Sequence, residues 1–150
     1  MSDGSKTPPT PVVLLVEDND DDVEFTRLGF QQSSHTVDLH VVRDGEECMA
    51  FLRKEAAYTD APTPDLVLLD LNMPRMDGRE VIAEIARDER LAHLPVVILT
   101  TSADEREIMG MYRLRCSSYV VKPIEFTEMM RVIDAIAGYW FTVATLPPKV

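Results

Sequence analysis

The chain has 150 residues, which is enough for one domain with a full hydrophobic core and too few for two ordinary domains. Hydrophobic residues make up 45% and charged residues 27%, which is typical of a globular protein, and a formal net charge of −11 argues against a nucleic-acid-binding face. Because no apolar run approaches the ~20 residues of a membrane span and the N-terminus is polar, we expect a cytoplasmic protein with no membrane partner.

The first half of the chain predicts two strand–helix units after a flexible tail over residues 1–10. A continuous apolar run is typical of a strand buried on both faces, whereas apolar and polar residues alternate in the second strand, as expected near a sheet edge. The acidic run 20–22 is typical of a helix start, where acids offset the macrodipole. The predicted elements are strand 12–16, a helix from Asn19 or Asp20 to about Gln32, strand 37–41 and a helix over 45–57.

The second half predicts three more strands and three helices, preceded by a loop over 58–64 in which two prolines forbid a helix. The last helix has the clearest pattern, with one apolar face that comprises Phe126, Met129, Met130, Ile133, Ala137 and Trp140. The other predicted elements are strand 66–69, a turn over 73–78, a helix around 81–85, strand 96–99, a helix over about 104–114 and strand 119–121. Strands that alternate with helices through short connections predict a doubly wound α/β domain with a central parallel sheet.

Four of the predicted strands end at polar residues. The first strand ends at Glu17 and Asp18, and the third ends at Asp70. The fourth ends at Thr100, and Lys122 follows the fifth. Because the carboxyl ends of parallel strands share one edge of the sheet, where open α/β sheets bind their ligands, we expect these side chains to lie together.

This set of residues suits a metal ion together with a phosphoryl group. Carboxylates at one edge raise each other's pKa unless a cation is present, and Mg²⁺ binds one or two carboxylates and takes its other oxygens from water and phosphate. Asp18 is the candidate for a direct ligand of the metal ion, and Glu17 can contact the ion through a water molecule. An Asp such as Asp70 can attack phosphorus and form an acyl phosphate if positive charge offsets the phosphoryl oxygens. Lys122 would supply that charge, and the Thr100 hydroxyl would supply a hydrogen bond.

The same residues lie in four motifs, LLVEDN, LLDLNMPRMDG, LPVVILTTS and SYVVKP, which occur in this order. Together they resemble the receiver domain of bacterial two-component response regulators over about residues 11–137. The resemblance implies a flavodoxin-like (βα)5 fold with strand order 2-1-3-4-5, preceded by the tail over 1–10 and followed by an apolar extension over 138–150. It also implies a cis peptide bond between Lys122 and Pro123.

By this resemblance, Asp70 accepts a phosphoryl group from a sensor histidine kinase. The implied Mg²⁺ ligands are Asp18, Asp70 and the backbone carbonyl of Asn72, with Glu17 in place of a more common Asp. Thr100 and Lys122 assist the transfer. No GxxxxGK or GxGxxG motif is present, so a nucleotide cofactor finds no support.

Further implied features concern the output of the domain. Thr100 and Tyr119 match the hydroxyl and the aromatic residue that report phosphorylation to the far surface. The apolar extension, the long loop at 58–64 and the sequence LTTS resemble single-domain regulators that pair with bacterial phytochrome kinases. The extension holds more apolar area than the end of a small domain can bury on itself, so we expect a homodimer. Its interface would combine the last helix, the extension, the Tyr119 strand and the helix with Ile108, Met111 and Tyr112.

Two other roles are alternatives to a regulator that binds its output partner directly. A relay protein would pass the phosphoryl group on to a histidine phosphotransfer protein, and the sequence does not separate this role from direct output. A phosphatase with Asp70 as nucleophile would need a second Asp two positions later, where this chain has Asn72, which cannot transfer a proton. The sequence therefore favours a signalling module over an enzyme, and, because the last helix takes most of the residues after Lys122, we expect no DNA-binding output domain.

Overall fold

The computed structural model describes residues 9–149, which form a parallel sheet flanked by α-helices. The strands are β1 (Val12–Val16), β2 (Asp38–Val42), β3 (Leu66–Leu69), β4 (Val96–Thr100) and β5 (Ser118–Val121). The helices are α1 (Asp20–Gln32), α2 (Gly45–Arg53), α3 (Gly78–Arg87), α4 (Glu105–Arg113) and α5 (Phe126–Gly138). The strand order β2-β1-β3-β4-β5 confirms the predicted flavodoxin-like fold. Residues 1–8 of the expected N-terminal tail lie outside the described residues.

The sheet separates two apolar cores. Val13 and Leu15 of β1 belong to the core under α1 and α5, whereas Leu14 and Val16 belong to the core under α2 and α3. All residues of β3 and β4 are buried, which explains why the sequences of these central strands show no alternation. β2 lies at the edge of the sheet, as predicted, and only Val42 of this strand is fully buried.

Two helices are shorter than predicted. α2 ends at Arg53 because Lys54 adopts a left-handed conformation with φ 58°, and a short 3₁₀ turn follows at Ala56–Tyr58. α5 ends at Gly138, and Tyr139–Val143 form a π-helical turn. None of the helices between residues 9 and 149 is both long and apolar enough to cross a membrane.

The buried face of α5 differs in part from the predicted face. The buried residues are Met129, Ile133, Ile136 and Ala137. Phe126, the first residue of the helix, is exposed instead. Its ring packs edge-on against Phe25 of α1, with ring centroids 5.4 Å apart. Met130 and Trp140 are only partly buried, so the stripe that faces the core is narrower than the sequence indicates.

The end of the chain contacts the amino-terminal edge of the sheet. Lys149 Nζ donates a hydrogen bond to the Thr63 carbonyl at 2.6 Å and lies 3.3 Å from the Asp65 carboxylate. Asp65 also accepts a hydrogen bond from the Val12 N–H at 2.8 Å, where β1 begins. These contacts hold the last described residues against the edge opposite to the carboxyl ends of the strands.

The apolar extension is only partly covered by the rest of the chain. Trp140 and Phe141 pack against the core under α1 and α5. Tyr139 and Val143 are exposed, at 52% and 72%. The extension therefore presents apolar surface to solvent even after the chain has folded back on itself.

The predicted cis bond between Lys122 and Pro123 is wrong, since residues 9–149 contain no cis peptide bond. The trans form is the general preference of X–Pro bonds in folded proteins. Lys122 still reaches the carboxyl edge of the sheet, where its Nζ lies 3.9 Å from Asp70. The long side chain thus brings the ammonium to the site without a cis bond.

The start of α2 makes a close contact that predicts the effect of a glycine substitution. Gly45 N donates to the Met76 carbonyl at 2.9 Å, and a Cβ on Gly45 would lie 2.1 Å from that oxygen. Since backbone atoms must shift to admit it, we expect Gly45→Ala to lower the free energy of unfolding by about 1–3 kcal/mol, measured by urea denaturation.

Gly110→Ala in α4 is the matched control. No atom lies within 4 Å of a Cβ at Gly110, so this change gains helix propensity of up to about 1 kcal/mol without a clash. A Gly45→Ala protein as stable as the wild type would contradict the contact.

Candidate functional site

The polar residues at the strand ends meet at the carboxyl edge of the sheet, as predicted. Asp70 N donates to the Val16 carbonyl at 3.0 Å, which places Asp70 beside Glu17 of the neighbouring strand end. Lys122 N donates to the Thr100 carbonyl at 2.7 Å on the other side of the sheet centre. Because β3 lies between β1 and β4, Asp70 is the central residue of this edge.

Three carboxylates form a compact cluster here. Glu17, Asp18 and Asp70 each offer an oxygen within 4.8 Å of the other two. Glu17 and Asp70 are buried, whereas Asp18 is exposed. A hard divalent cation fits such oxygen donors, and the solvent side at Asp18 would let it keep several waters.

Lys122 supplies an ammonium to this cluster. Its side chain is 5% exposed, and Nζ donates hydrogen bonds to Glu17 and, at 2.9 Å, to Asp22 of α1. Asp70 Oδ1 is 3.9 Å from Nζ, which is an ionic contact without a hydrogen bond. Burial lowers the pKa of Lys122, but the carboxylates around it, Glu17 foremost, outweigh burial and raise the pKa above its ordinary value. Lys122 is therefore charged.

Burial dominates the electrostatics of two of the carboxylates. It raises the pKa of Glu17 to about 7, and the hydrogen bond and charge of Lys122 offset burial only in part. Burial also raises the pKa of Asp70 against the opposing charge of Lys122. The protein alone thus supplies too little positive charge for these carboxylates, and a bound cation would favour their charged forms.

Thr100 carries an unsatisfied polar atom. Its Oγ1 is buried and makes no hydrogen bond of good geometry among residues 9–149, although the hydroxyl is close enough to Asp70 to lower the pKa of that carboxyl in part. Such a group costs about 1–3 kcal/mol in a protein interior. Thr100 ends the strand next to the one that Asp70 follows, so an oxygen of a group attached to Asp70 could accept the missing hydrogen bond.

Comparisons with known proteins agree with this geometry. The family model of the response regulator receiver domain matches residues 13–134. The chain belongs to the response regulator receiver domain family. Response regulator Rcp1 of Synechocystis sp. is 39% identical over 147 residues, which cover 98% of this chain and 99% of Rcp1.

Two solved structures are similar to this receiver over nearly their full length. The phosphorylated cyanobacterial phytochrome response regulator RcpA has a TM-score of 0.89 and 40% identity, covering 93% of this chain and 100% of that chain. The Mn²⁺-bound form of Rcp1 from Synechocystis has a TM-score of 0.86 and 38% identity, covering 92% and 99% of the two chains. The likeness thus extends beyond the four motifs to the whole domain.

Tyr119 of this receiver connects β5 to the loop after β4. Its hydroxyl donates to the Ser102 carbonyl at 2.9 Å, and its backbone N–H donates to Tyr112 Oη at 3.2 Å. The side chain is half-buried and packs against the core under α2 and α3. Since Ser102 lies two residues after Thr100, this hydrogen bond links Tyr119 to the loop that follows the end of β4.

The loop between β3 and α3 carries Asn72, whose side chain is exposed. Gly78 closes this loop, because Gly78 N donates to the Leu71 carbonyl at 3.0 Å. A Cβ on Gly78 would lie 2.5 Å from the Asp70 carbonyl. The receiver therefore needs a glycine here to keep α3 close to the backbone of Asp70.

The same loop is also tied to α2 by an ion pair that the sequence did not indicate. Arg75, with φ 61°, donates from Nε to Asp44 at 2.7 Å, and Asp44 is buried. Burial raises the pKa of Asp44, but the Glu47 N–H and Arg75 outweigh it, and the net pKa is lowered. Asp44 thus stays ionised and holds Arg75 against the start of α2.

Asp22 is a second contact that sequence analysis missed. The sequence places the run 20–22 at the helix start. This is correct for Asp22, whose N–H donates to the N-cap residue Asn19 at Oδ1, 2.9 Å away. Its carboxylate, however, contacts Lys122. No pattern distinguishes Asp22 from its two acidic neighbours, because tertiary packing decides which of them faces Lys122.

The raised pKa of Glu17 predicts how stability depends on pH in the metal-free receiver. The folded state holds the Glu17 proton up to about pH 7, whereas the ordinary pKa of the unfolded state is 4.5. Between these values the folded state binds more protons, so the free energy of unfolding falls with rising pH by up to about 1.4 kcal/mol per pH unit.

Glu17→Gln keeps the shape and removes the titration. We expect the stability of the wild type relative to this variant, measured by urea unfolding with a chelator, to fall from about pH 5 to about pH 7. A relative stability that does not change with pH would contradict the assignment.

Proposed function

We propose that this chain is a stand-alone, cytoplasmic response regulator that accepts a phosphoryl group on Asp70 from a histidine kinase. The position of Asp70 carries the proposal. It is buried at the centre of the carboxyl edge, with oxygens of Glu17 and Asp18 within 4.8 Å and the Lys122 ammonium 3.9 Å away. Phosphoryl transfer depends on such a combination of positioning and charge.

The transfer can be derived from the residues around Asp70. An Asp70 carboxylate oxygen bonds to phosphorus while the bond between phosphorus and the kinase histidine breaks, which leaves an acyl phosphate. Lys122 would pair with one phosphoryl oxygen. The Thr100 hydroxyl, which makes no well-formed hydrogen bond among residues 9–149, would donate to another. Both contacts offset the charge of the transferred group.

Mg²⁺ is the cation we propose for this site. Asp18, Asp70 and the Asn72 backbone carbonyl would hold it, with Glu17 acting through water. The donors are all oxygens, which suits Mg²⁺ or Mn²⁺ better than softer metals. The relative Rcp1 has been solved in an Mn²⁺-bound form. When bound, the cation neutralises charge on the carboxylates and on the phosphoryl group.

An exposed apolar patch beside the site suits the docking of a kinase. Ile124 is fully exposed, and Phe25 and Phe126 are 40% and 36% exposed and contact each other. Ile124 lies two residues after Lys122, so a partner that covers the patch would bring its histidine near Asp70. Because RcpA is a phytochrome response regulator, we propose a bacteriophytochrome as the kinase.

We propose a signalling role rather than an enzymatic one. A phosphatase would need an acid or base two residues after Asp70, and Asn72 cannot serve. The acyl phosphate would instead be read through Thr100 and Tyr119 as switch residues. The backbone N–H of Tyr119 contacts the Tyr112 hydroxyl. Tyr112 is exposed, as are Met109 and Val121.

The proposed output is a homodimer through α5 and the C-terminal extension. Tyr139 and Val143 remain exposed and would contribute apolar area. Two parts of the expected interface need correction. Met111 is 2% exposed and belongs to the core, and Trp140 and Phe141 already pack on their own domain. The interface would therefore be smaller than the sequence indicates.

Asp70 is expected to be the residue that is phosphorylated. Incubation with acetyl phosphate and Mg²⁺ should add one phosphoryl group by intact mass, and an autophosphorylated bacteriophytochrome kinase should label the same residue. Asp70→Asn should abolish both reactions, whereas Asp60→Asn, an exposed control, should leave them unchanged. A chelator should also stop the labelling. Undiminished labelling of Asp70→Asn would reject the proposal.

The homodimer can be tested by sedimentation. The full chain at tens of micromolar should sediment as a dimer, whereas a chain truncated after Gly138 should be monomeric because it lacks the exposed apolar residues of the extension. A full-length monomer at this concentration would rule out the dimer.

A further inference from the structure

The Lys122 ammonium has more carboxylate neighbours than the proposed reaction uses. An ammonium has three hydrogen-bond donors. One donates to Glu17 and one to Asp22 at 2.9 Å, whereas Asp70 at 3.9 Å receives none. The resting position of the ammonium is therefore set by Glu17 and Asp22, and Asp70 is the most distant of the three.

The backbone of Asp22 is fixed by the start of α1. Its N–H donates to Asn19 Oδ1 at 2.9 Å, and its carbonyl accepts from Thr26 Oγ1 at 2.8 Å. The Asp22 side chain is 33% exposed, whereas the Lys122 side chain is 5% exposed. Asp22 thus draws the buried ammonium toward the solvent side of the site from a rigid position.

We propose that Asp22 is a positioning residue that holds Lys122 beside Glu17 and away from Asp70 until a phosphoryl group arrives. The inference rests on the proposed function. When Asp70 carries a phosphoryl group, Asp22 and a phosphoryl oxygen compete for the Lys122 ammonium, which lies 2.9 Å from Asp22 and 3.9 Å from Asp70 at rest. Asp22 therefore opposes phosphorylation, and its removal should favour it.

This competition separates Asp22 from an ordinary surface ion pair. A partly exposed pair contributes little to folding, since its median value is about 0–1 kcal/mol. The same energy also opposes the movement of Lys122 from Asp22 toward a phosphoryl oxygen. Loss of the Asp22 charge should therefore raise the affinity of the site for a phosphoryl group by a measurable factor, while it changes stability by no more than about 1 kcal/mol.

The test compares Asp22→Asn with Asp21→Asn. Both changes remove one negative charge from the first turn of α1, but Asp21 is exposed, and the ion pairs of Lys122 within residues 9–149 are with Glu17, Asp22 and Asp70. With Mg²⁺ present, Asp22→Asn should bind beryllofluoride, a phosphoryl mimic, about threefold to fivefold more tightly than the wild type, as expected for the loss of one ion pair. Acetyl phosphate should label this variant faster than the wild type by a similar factor. Asp21→Asn should stay close to the wild type. Asp22→Glu, which retains a carboxylate, should restore wild-type behaviour.

A second measurement needs neither metal nor phosphoryl group. In the metal-free protein, the NMR signals of the Lys122 ε-methylene group should shift in Asp22→Asn and not in Asp21→Asn. Equal behaviour of the two Asn variants in both measurements would overturn the inference. If the wild type is not labelled on Asp70, the proposed function fails instead, and the NMR comparison still decides the resting position. Asp22→Ser serves as the second variant if Asp22→Asn does not fold.

Discussion

The shortage of positive charge at the carboxyl edge of the sheet is the constraint on which the site depends. Burial of a carboxylate costs free energy unless a partner compensates it. Burial raises the pKa of Asp70, and Lys122, which hydrogen-bonds Glu17 and Asp22 but makes only an ionic contact with Asp70, offsets this in part. A bound cation would relieve this imbalance, whereas a phosphoryl group on Asp70 would add negative charge and draw the ammonium toward it. The same charges that make the edge costly to fold therefore make it responsive to its proposed ligands.

Such a site works only if the carboxylates cannot move apart, and the surrounding backbone prevents this. β3 and β4 are buried along their whole length. The loop after β3 is held by the close contact of Gly78 with the Asp70 carbonyl and by that of Gly45 with Met76. The ion pair of Arg75 with Asp44 ties the same loop to α2. Rigid support of this kind keeps functional groups in place, which is why close glycine contacts lie next to an acidic cluster.

The sequence predicted those features that follow from local pattern and from the geometry of parallel sheets. Asp18, Asp70 and Thr100 could be placed together because the carboxyl ends of neighbouring strands meet at one edge. The end of α2 could not be placed, since a left-handed lysine such as Lys54 is uncommon and no local signal marks it. The contact of Asp22 with Lys122 was equally hidden, because it depends on how two distant elements pack.

α5 places the two proposed interfaces at opposite ends of one helix. It begins at Phe126 in the apolar patch beside Lys122 and runs for 13 residues, a length of about 20 Å, to the extension after Gly138. A Cβ on Gly29 of α1 would lie 3.0 Å from the side chain of Ile133, so the two helices are in close contact midway. This contact opposes sliding of α5 along α1, so the distance between the apolar patch and the extension is fixed. A kinase bound at the patch would therefore leave the proposed dimer surface uncovered.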